Sequence, residues 1–333
     1  MKIALDKLTT MYREILGTAA ADPADLEALL EIKIDQDLHD NYFSGVAEAE
    51  SALKALQRTI GKQPKVEADK PSLRLIACDG FPTELATAKH LDWLCNAARA
   101  NGIAILGLYG GGYQGGLDTY ARKIAAHDLV GLVGSTGGPA CVLPYGGRTS
   151  VTGTDPFAYG IPTNDLPIVF DAATAQYAYG TITRAKKEGK PLPEQAYRDE
   201  AGDWTTDAQK AVSIIPFGGH RGSAVNLLVA VMGGALVHAK SGLLQNDEWD
   251  LGSFLIAIDP SAFGPLEEFK KQTTQLVEDI QKVKPAEDFS EVRVPGQRSE
   301  RRKQECIKNN SIEIADANWH EFEETYKKVT GKE

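Results

Sequence analysis

Apolar residues recur at helical spacing along the first sixty residues of the chain. Those that follow the three- and four-residue steps of one helix face are Leu5, Leu8, Met11, Tyr12, Ile15 and Leu16. We expect residues 3–61 to be helical, with a turn at 21–24 and a separate helix over 46–60. The polar stretch 62–71 contains two prolines and predicts an irregular connection.

Short apolar runs then alternate with longer amphipathic segments. The runs predict strands at 72–78, 103–108, 129–133 and 168–170. The longer segments predict helices at 84–101, 117–127 and 175–188. Gly102 and Gly189 follow two of these helices, where a left-handed residue ends a helix without strain. This alternation predicts an α/β architecture in which helices cover a sheet.

The last third of the chain continues with fewer strands. An apolar segment rich in small residues predicts a core helix over 223–239, and residues 253–258 predict a strand. Amphipathic spacing predicts helices at 265–281 and 318–328, whereas the polar stretch 284–303 predicts an extended connection.

Composition narrows the possible partners. The 333 residues carry a formal net charge of −10, which disfavours nucleic acid and anionic membranes because both require clustered cations. Four dispersed cysteines without a C-x-x-C motif suggest reduced thiols, and no set of side chains suggests a metal site. Because no segment resembles a signal peptide or approaches the length of a membrane span, we expect a cytoplasmic protein.

Two glycine-rich blocks interrupt the apolar pattern, at residues 143–174 and 216–222. No G-x-G-x-x-G motif opens a helix after a strand and no Walker A motif is present, so neither an ordinary Rossmann site nor a P-loop is supported. The second block leads into a predicted helix, where backbone N–H groups, His220 and Arg221 could bind phosphate. A tight helix-entry turn with a solvated arginine explains the same residues.

Asp171 follows an apolar strand and lies close to Thr174 in the sequence. A carboxylate at the end of a strand can accept hydrogen bonds from a ligand. Alternatively, Asp171 or Thr174 caps the helix predicted from residue 175, which is the more common explanation.

In their order along the chain, these motifs resemble the type-2 malate/L-lactate dehydrogenase family. That family includes sulfolactate and ureidoglycolate dehydrogenases, 2,3-diketogulonate reductase and reductases of Δ1-piperideine-2-carboxylate. The matching runs lie at 144–147 (PYGG), 153–156 (GTDP), 160–162 (GIP), 171–174 (DAAT), 202–207 (GDWTTD), 216–222 (PFGGHRG) and 295–298 (PGQR).

The resemblance implies a non-Rossmann α/β fold with a mixed sheet flanked by helices. It implies a discontinuous helical subdomain (residues 1–70 and 262–333), an α/β cofactor-binding domain (71–261) and a homodimer. It also implies hydride transfer between NADPH or NADH and the α-carbon of a small 2-oxo, 2-hydroxy or 2-imino acid.

The resemblance further implies which residues meet the ligands. Cofactor-binding candidates are Ser135, Thr136, Asp171, Ala172, Thr174, His220, Arg221, Gly222, Gly296, Gln297 and Arg298. Substrate-facing loop candidates are Gly147, Thr154 and Asp155.

The family's acid–base residues are replaced in this chain. The family carries Ser-His-Gly near its N-terminus, with Arg three residues later, whereas residues 43–45 here are Phe-Ser-Gly. Ser44 therefore stands for the histidine and Glu48 for the arginine. Tyr113 is the nearest counterpart of a second family histidine. His39 is a further candidate acid, although a surface histidine at a helix end is the more common explanation.

These replacements leave three hypotheses open. Reduction of a 2-oxo acid needs a proton donor, which Ser44 cannot supply unaided. Glu48 would favour a cationic substrate, so the first hypothesis is a reductase of an imine or iminium acid. The second is an ordinary 2-oxo/2-hydroxy acid dehydrogenase with Tyr113 or His39 as the acid. The third is a catalytically degenerate family member that binds a nucleotide.

Overall fold

The computed structural model describes residues 1–40, 44–247 and 250–332. The helices are α1 (Leu5–Gly17), α2 (Pro23–Leu38), α3 (Ala49–Thr59), α4 (Thr83–Asn101), α5 (Leu117–Ala126), α6 (Gly180–Glu188), α7 (His220–Met232), α8 (Leu266–Gln281), α9 (Gln297–Lys308) and α10 (Asp316–Thr330). The strands are β1 (Lys2–Ala4), β2 (Lys65–Lys70), β3 (Leu73–Ala77), β4 (Ile103–Tyr109), β5 (Val130–Ser135), β6 (Phe157–Ile161), β7 (Ile168–Ala172), β8 (Tyr197–Arg198), β9 (Ser213–Ile214), β10 (Gly252–Ile258) and β11 (Ser311–Glu313).

A seven-stranded mixed sheet forms the centre of the molecule, in the order β2-β3-β4-β10-β5-β6-β7. Only β3 and β4 pair in parallel among these strands. Strand β10 comes late in the chain yet lies between β4 and β5, so that Ile256 is opposite both Ile105 and Leu132. The prediction of a mixed sheet flanked by helices is confirmed.

The two ends of the chain meet beside this sheet. Strands β1 and β11 pair antiparallel, with Ile3 opposite Ile312. A single buried cluster extends from Tyr12 and Phe322, on the terminal helices, to Leu106 in the sheet. The terminal helices and the sheet thus share one core, and the domain division at residues 70 and 262 stays a prediction.

Several element predictions were wrong for identifiable reasons. The polar stretch 62–71 contains β2, an almost fully exposed edge strand that is held by its ladder with β3 rather than by buried side chains. Strand β6 lies inside the first glycine-rich block, where a Cβ at Gly160 would overlap the carbonyl of Ala121 on α5. Glycine thus lets α5 pack directly on the strand.

The helix boundaries near the glycine-rich and polar stretches also differ from prediction. The helix predicted over 175–188 begins only at Gly180. The C-terminal part of the stretch 284–303, predicted to be extended, enters α9, whose buried residues Gln297 and Glu300 are polar. Because these buried residues are polar, the sequence of α9 lacks the apolar spacing that indicates a helix.

Helix α7 is the most apolar helix on the surface. Within the described residues, the stretch 220–237 is long and apolar enough to cross a membrane by length and composition, and 39% of it is buried. The expectation that no stretch approaches such a length was wrong. The helix itself ends at Met232, seven residues earlier than the prediction, and Gly233 and Gly234 follow it.

A buried ionic network joins α2, α5 and α9. Arg122 on α5 lies 3.0 Å from Asp118 and 2.9 Å from Glu300 on α9. Glu300 also lies 3.2 Å from His39 Nε2, at the end of α2. These contacts fix α9 against the rest of the molecule.

We expect Arg122→Met to destabilise the protein by roughly 3–5 kcal/mol, because Glu300 and Asp118 would stay buried without their cation. The matched control is Arg148→Met, since Arg148 forms an exposed pair with Asp203 and should change stability by about 1 kcal/mol or less. Urea unfolding of both variants measures the difference. Equal midpoints for the two variants would contradict the structural role of the network.

Candidate active site

Two predicted catalytic residues, Ser44 and Tyr113, come together from the loops after α2 and β4. Ser44 is buried, and its Oγ lies 3.2 Å from the hydroxyl of Tyr113, which follows β4. The Tyr113 side chain is 53% exposed, so the pair is open to solvent on one side.

Loss of water around the hydroxyl raises the pKa of Tyr113 above its ordinary value, and so does the carboxylate of Glu48. The phenol therefore keeps its proton and can donate it in a hydrogen bond. Phe43, which precedes Ser44, lies outside the described residues.

Asp37, on α2, anchors the loop that carries Ser44. Its carboxylate accepts hydrogen bonds from the Val46 N–H at 2.9 Å and from the Tyr12 hydroxyl at 3.1 Å. A Cβ at Gly45 would overlap Asp37 Oδ1, so the glycine is required by this close approach. Burial raises the pKa of Asp37 to about 7.

Gln36 connects the Ser44 loop with the Tyr113 loop. With its amide oriented to satisfy both neighbours, Gln36 donates to the carbonyl of Ser44 and accepts from the N–H of Gly116 at 3.1 Å. Thr83, at the start of α4, donates to the carbonyl of Gly112 at 2.9 Å. The relative position of Ser44 and Tyr113 is thus set by side chains from two helices.

A buried ion pair lies beneath these loops. Lys33 Nζ is 2.9 Å from Glu84 Oε1, and both side chains are almost fully buried. Glu48, the residue in place of the family arginine, is partly buried near this pair. Burial raises the pKa of Glu48, Lys33 lowers it and Glu84 raises it further.

Sequence reasoning missed the Lys33–Glu84 pair. Lys33 lies among the buried residues Leu29, Leu30 and Ile32 of α2, so a cation inside an apolar helix face was the available signal. Its partner could not be inferred, because Glu84 lies 51 residues away in the sequence.

His39 has partners for both ring nitrogens. Nδ1 lies 2.7 Å from the carbonyl of Asp35, and Nε2 lies 3.2 Å from Glu300 Oε1. Burial lowers the pKa of His39, but the hydrogen bonds to Asp35 and Glu300 outweigh it and leave the pKa raised. The described hydrogen bonds do not connect His39 to the Ser44–Tyr113 pair. It is buried at the end of α2, not on the surface.

Asp171, within β7, caps a different helix from the one expected. Its Oδ2 accepts from the N–H of Asp118 at 3.1 Å, in the first turn of α5. The helix that follows it in sequence, α6, begins nine residues later and has no side-chain cap. Burial, followed by the charge of Asp118, raises the pKa of Asp171 to about 7. Its neighbour Ala172 pairs with Phe157.

Asn226, on α7, binds two of the predicted loops together, those at 152–155 and at 171–174. Its Nδ2 lies 2.9 Å from Thr174 Oγ1 and 3.1 Å from the carbonyl of Gly153. The same nitrogen lies 3.4 Å from Asp155 Oδ2, and Asn226 Oδ1 accepts from Thr152 at 2.6 Å. Asn226 was missed, although a lone amide inside an apolar helix was a visible signal.

The loops bound by Asn226 carry further internal hydrogen bonds. Thr174 Oγ1 donates to the carbonyl of Thr154 at 2.8 Å. Asp155 adopts a positive φ of 36° and accepts from the N–H of Gly137 at 2.8 Å. Burial raises the pKa of Asp155 to about 6.

Ser135 and Thr136 end β5 against the start of β10. The N–H of Gly252 donates to Thr136 Oγ1 at 3.0 Å, and Ser253 Oγ lies 3.0 Å from Ser135 Oγ. Both predicted cofactor residues are buried in this junction.

The block 216–222 forms a tight entry to α7. Gly219 has a φ of 67°, and a Cβ at Gly222 would overlap the carbonyl of Phe217. His220 packs edge-on against Tyr145, with ring centroids 5.7 Å apart. Arg221 is exposed, and it forms no hydrogen bond or ion pair with the residues that the structure describes.

Gly147 closes the turn that presents Tyr145. The N–H of Gly147 donates to the carbonyl of Pro144 at 2.8 Å. The N–H of Tyr145 donates to Ser223 Oγ at 3.1 Å, which fixes this turn to α7. The turn and the entry to α7 therefore form one surface.

The segment 295–298 lies against the edge strand β7. The carbonyl of Pro295 accepts from the N–H of Val169 at 3.2 Å, and Gly296 has a φ of 87°. A cavity of about 360 Å³ opens at the start of α9. Its lining residues are Arg293, Val294, Pro295, Gly296, Arg298 and Ser299. Gln297 is buried instead, and its Oε1 accepts from Gln281 at 2.6 Å.

The candidate site therefore consists of the Ser44–Tyr113 region and two cationic turns. Within residues 1–40, 44–247 and 250–332, no group of three or more His, Cys, Asp or Glu side chains could hold a metal ion. The functional roles of the individual residues stay predictions.

Sequence comparison relates the whole chain to known dehydrogenases and reductases. Residues 3–323 match the family model for malate/L-lactate dehydrogenase. The malate/(S)-sulfolactate dehydrogenase of Methanothermus fervidus is 28% identical over 309 residues, covering 90% of this chain and 89% of that protein. The Δ1-pyrroline-2-carboxylate/Δ1-piperideine-2-carboxylate reductase of Pseudomonas aeruginosa is 30% identical over 273 residues, covering 78% and 81%.

The solved structures agree with this relationship. The Δ1-piperideine-2-carboxylate reductase of Pseudomonas syringae superposes with a TM-score of 0.84 at 25% identity, covering 98% of this chain and 99% of that one. These similarities confirm the predicted family, the fold class and an oxidoreductase activity with a nicotinamide cofactor. The chain belongs to the malate/L-lactate dehydrogenase family.

Proposed function

We propose that this protein reduces a small imino acid, bound as its iminium cation, with a nicotinamide cofactor. The observation that carries the proposal is the charge around the Ser44–Tyr113 pair. Glu48 and Glu84 both act on the hydroxyl of Tyr113, and both raise its pKa. A carboxylate beside the reacting atoms attracts a cationic carbon–nitrogen double bond and repels an uncompensated oxyanion.

The chemistry of the two substrate classes differs in its need for a proton. Hydride addition to an iminium carbon gives a neutral amine, and no proton has to reach the reacting atoms during the step. Hydride addition to a 2-oxo acid gives an alkoxide, which needs a proton donor. A tyrosine with a raised pKa is a weak acid, so Tyr113 suits the iminium better.

Two relatives support the imine assignment. The reductases of Pseudomonas aeruginosa and Pseudomonas putida, which act on Δ1-pyrroline-2-carboxylate and Δ1-piperideine-2-carboxylate, are 30% and 32% identical to this chain. The corresponding reductase of Pseudomonas syringae is 28% identical, which equals the identity of the malate/(S)-sulfolactate dehydrogenase, so the charge around Tyr113 rather than sequence identity carries the proposal.

The two cationic turns suit the phosphates of NADPH or NADH. No side chain caps the helix after Gly219 or the helix after Gly296, which leaves first-turn N–H groups of α7 and α9 available to an anion. The N–H of Gln297 is not one of them, because it donates to the carbonyl of Val294. The exposed Arg221 adds a cation at the first turn, as Arg298 does at the second. When bound, the reduced nicotinamide supplies the hydride. We propose that Asp171, Ala172 and Thr174 line the same cofactor site.

We expect the purified protein to reduce cyclic 2-imino acids with NADPH or NADH and to turn over pyruvate or oxaloacetate far more slowly. Glu48→Gln should raise the KM for the imine about tenfold, because one favourable charge contact of about 1.4 kcal/mol is lost. Glu50→Gln, an exposed change on α3, is the matched control and should leave KM unchanged.

Steady-state kinetics on a panel of imino and 2-oxo acids provides the measurement. Good turnover of simple 2-oxo acids with no turnover of any imine would overturn the proposal. Tight cofactor binding without turnover of any substrate would support the degenerate family member instead.

A second candidate, a 2-oxo acid dehydrogenase with Tyr113 as proton donor, draws support from the hydrogen bond between Tyr113 and Ser44. In that case Tyr113→Phe should abolish turnover of the 2-oxo acid and leave the Kd of the cofactor unchanged. For an iminium substrate, the same variant should keep kcat within about threefold. Tyr109→Phe, which removes a surface hydrogen bond to Glu67, is the control for loss of a hydroxyl.

We further propose that the protein is a homodimer built on the outer face of α7. That face exposes Leu227, Leu228 and Val231, with exposed fractions of 62%, 53% and 49%. A contiguous apolar patch on a helix surface is typical of a protein interface. The cytoplasmic location and the absence of nucleic-acid and membrane partners remain predictions from composition and charge.

We expect Leu227→Glu/Leu228→Glu to convert the dimer into a monomer, because two buried carboxylates cannot be accommodated in an apolar interface. Analytical ultracentrifugation at micromolar concentration measures the mass. Leu276→Glu, on the exposed side of α8, should leave the dimer intact. A monomeric unmodified protein, or one that partitions into lipid vesicles through α7, would contradict the proposed interface.

A further inference from the structure

His39 is a buried titratable residue without a role in the Ser44–Tyr113 pair or the cationic turns. It follows the last residue of α2, and its side chain is 1% exposed. Nδ1 lies 2.7 Å from the carbonyl oxygen of Asp35 and 3.4 Å from Asp35 Oδ2. Nε2 lies 3.2 Å from Glu300 Oε1. A carbonyl oxygen has no proton to give, so Nδ1 must be the donor in its contact.

Glu300 requires a second proton on the same ring. Its Oε1 also lies 2.9 Å from Nε of Arg122. Burial raises the pKa of Glu300, but the hydrogen bond to His39 and the charge of Arg122 outweigh burial and leave the pKa lowered. Glu300 is therefore an ionised carboxylate, which can only accept. A neutral ring with its proton on Nδ1 would turn the lone pair of Nε2 towards that carboxylate. The two contacts together thus identify His39 as an imidazolium.

The charges around the ring balance only when it is protonated. Within the described part of the chain, the charged groups that face it come from three elements: Asp35 on α2, Asp118 and Arg122 on α5, and Glu300 and Lys303 on α9. They are three carboxylates and two cations, so the imidazolium supplies the missing positive charge. Loss of its proton would leave a carboxylate without a cation in the interior, which is strongly unfavourable.

The last turn of α2 also holds the Ser44 loop. Asp37 accepts from the N–H of Val46 at 2.9 Å. Gln36 donates to the carbonyl of Ser44 and accepts from the N–H of Gly116 at 3.1 Å. A displacement of this turn would therefore move Ser44 relative to the loop after β4.

Helix α9 contacts the same turn through one half-exposed group and one buried group. Arg302 donates to the carbonyls of Asp37 and Leu38 at 2.7 and 2.9 Å, and its side chain is 24% exposed. The contact between Glu300 and His39 is the buried one. Glu300 lies in the first turn of α9, directly after the segment 295–298 that is predicted to bind the cofactor.

We propose that His39 is a positioning residue whose imidazolium locks α9 to the end of α2 and so holds Ser44 opposite Tyr113. Proton loss from the ring releases this lock, because Nε2 then meets Glu300 with a lone pair. His39 acts through α2 and not on the reacting atoms. The proposal rests on the Ser44–Tyr113 site of the proposed function but not on the choice between an imino and a 2-oxo acid.

The direction of the pH dependence follows from linkage. An exposed histidine titrates near pH 6.5, and the pKa of His39 is raised above its ordinary value. Between these two pKa values the locked state holds one more proton than the released state. The lock therefore weakens about tenfold per pH unit as pH rises through this range, and its strength levels off above the higher pKa. Below about pH 6.5 the lock is complete.

Glu300→Gln separates the proton from the contact. The amide donates to Nε2 of a neutral ring and still accepts from Arg122, so the contact persists without an imidazolium. Glu305→Gln, at an exposed position of the same helix, is the matched control. His39→Gln removes the titrating group itself, and His320→Gln, whose histidine side chain is 76% exposed, is its control.

The experiment measures hydrogen exchange in the purified protein, so that turnover is not required. Mass spectrometry of peptides that contain Val46 or Gly116 gives protection factors between pH 5.5 and 9, corrected for the intrinsic exchange rate at each pH. Peptides from β10 provide the internal reference. NMR titration of the ring nitrogens follows the charge of His39, and His39→Gln identifies its resonance among the six histidines.

We expect protection at Val46 and Gly116 to fall about tenfold per pH unit while His39 titrates, whereas protection in β10 stays constant. Glu305→Gln should keep this slope. Glu300→Gln should lose the part that belongs to His39. Asp37, whose pKa burial raises to about 7, titrates in every variant. The contribution of His39 is therefore the difference between the two glutamine variants of α9.

Two results would overturn the inference. One is a His39 ring that is neutral at pH 6 in the unmodified protein. The other is an equal pH slope at Val46 and Gly116 in Glu300→Gln and Glu305→Gln, which would assign the contact a purely structural role. Where Glu300→Gln does not fold, His39→Gln decides instead. We expect it to lower protection of both loops about tenfold at pH 6, and protection equal to that of His320→Gln contradicts the lock.

Imine turnover is measured separately from hydrogen exchange. Absent imine reduction with exchange slopes as expected sinks only the proposed function. Active imine reduction with equal slopes in all variants sinks this inference alone.

Discussion

The buried face of α2 is the constraint on which the candidate site depends. Asp37 and Gln36 are neighbours near the end of this helix, and they bind two loops that are far apart in the sequence. Asp37 accepts from the backbone of Val46, and Gln36 joins Ser44 to Gly116. Each of these polar groups is buried, so leaving one without its partner would cost about 1–3 kcal/mol. The hydrogen bonds that fold the loops therefore also set the distance between Ser44 and Tyr113.

The order of the central sheet explains why these loops meet. Strand β10 separates β4 from β5, although it follows them by more than a hundred residues. The loop after β4, which carries Tyr113, is joined to α2 by the hydrogen bond from the N–H of Gly116 to Gln36. The loops after β4 and β5 both meet the start of β10, where the N–H of Gly110 donates to the carbonyl of Leu251 and Thr136 bonds to Gly252. The charge of the cofactor candidate Asp171 raises the pKa of Tyr113, so the catalytic and cofactor candidates belong to one region.

The parts of the fold with a strong apolar period could be predicted from the sequence. Helix α4 begins within one residue of its prediction and ends at the predicted residue, before the left-handed Gly102. The resemblance to the family predicted the mixed sheet. The apolar periodicity of the sequence alone could not have shown the order of its strands. By contrast, α9 was missed because its buried face carries the polar residues Gln297 and Glu300. The role of Lys33 was missed because it is a charged residue among the buried residues of α2. The role of a buried polar residue becomes clear only when its partner is known. The partners of Glu84, Glu300 and Asp155 lie far away in the sequence, so the sequence alone could not identify them.

The buried carboxylates around the site impose a pH dependence on the fold itself. Burial raises the pKa of Asp37 and of Asp171 to about 7, and that of Asp155 to about 6. An unfolded aspartate titrates near pH 3.9, so between roughly pH 4 and 7 the folded state holds protons that the unfolded state has released. The contribution of these groups to stability is therefore complete below about pH 4 and declines as pH rises through their folded pKa values. The region around the candidate site is thus also a part of the fold that ionisation weakens. A bound cation opposes that effect, because it stabilises the ionised carboxylates of the folded state.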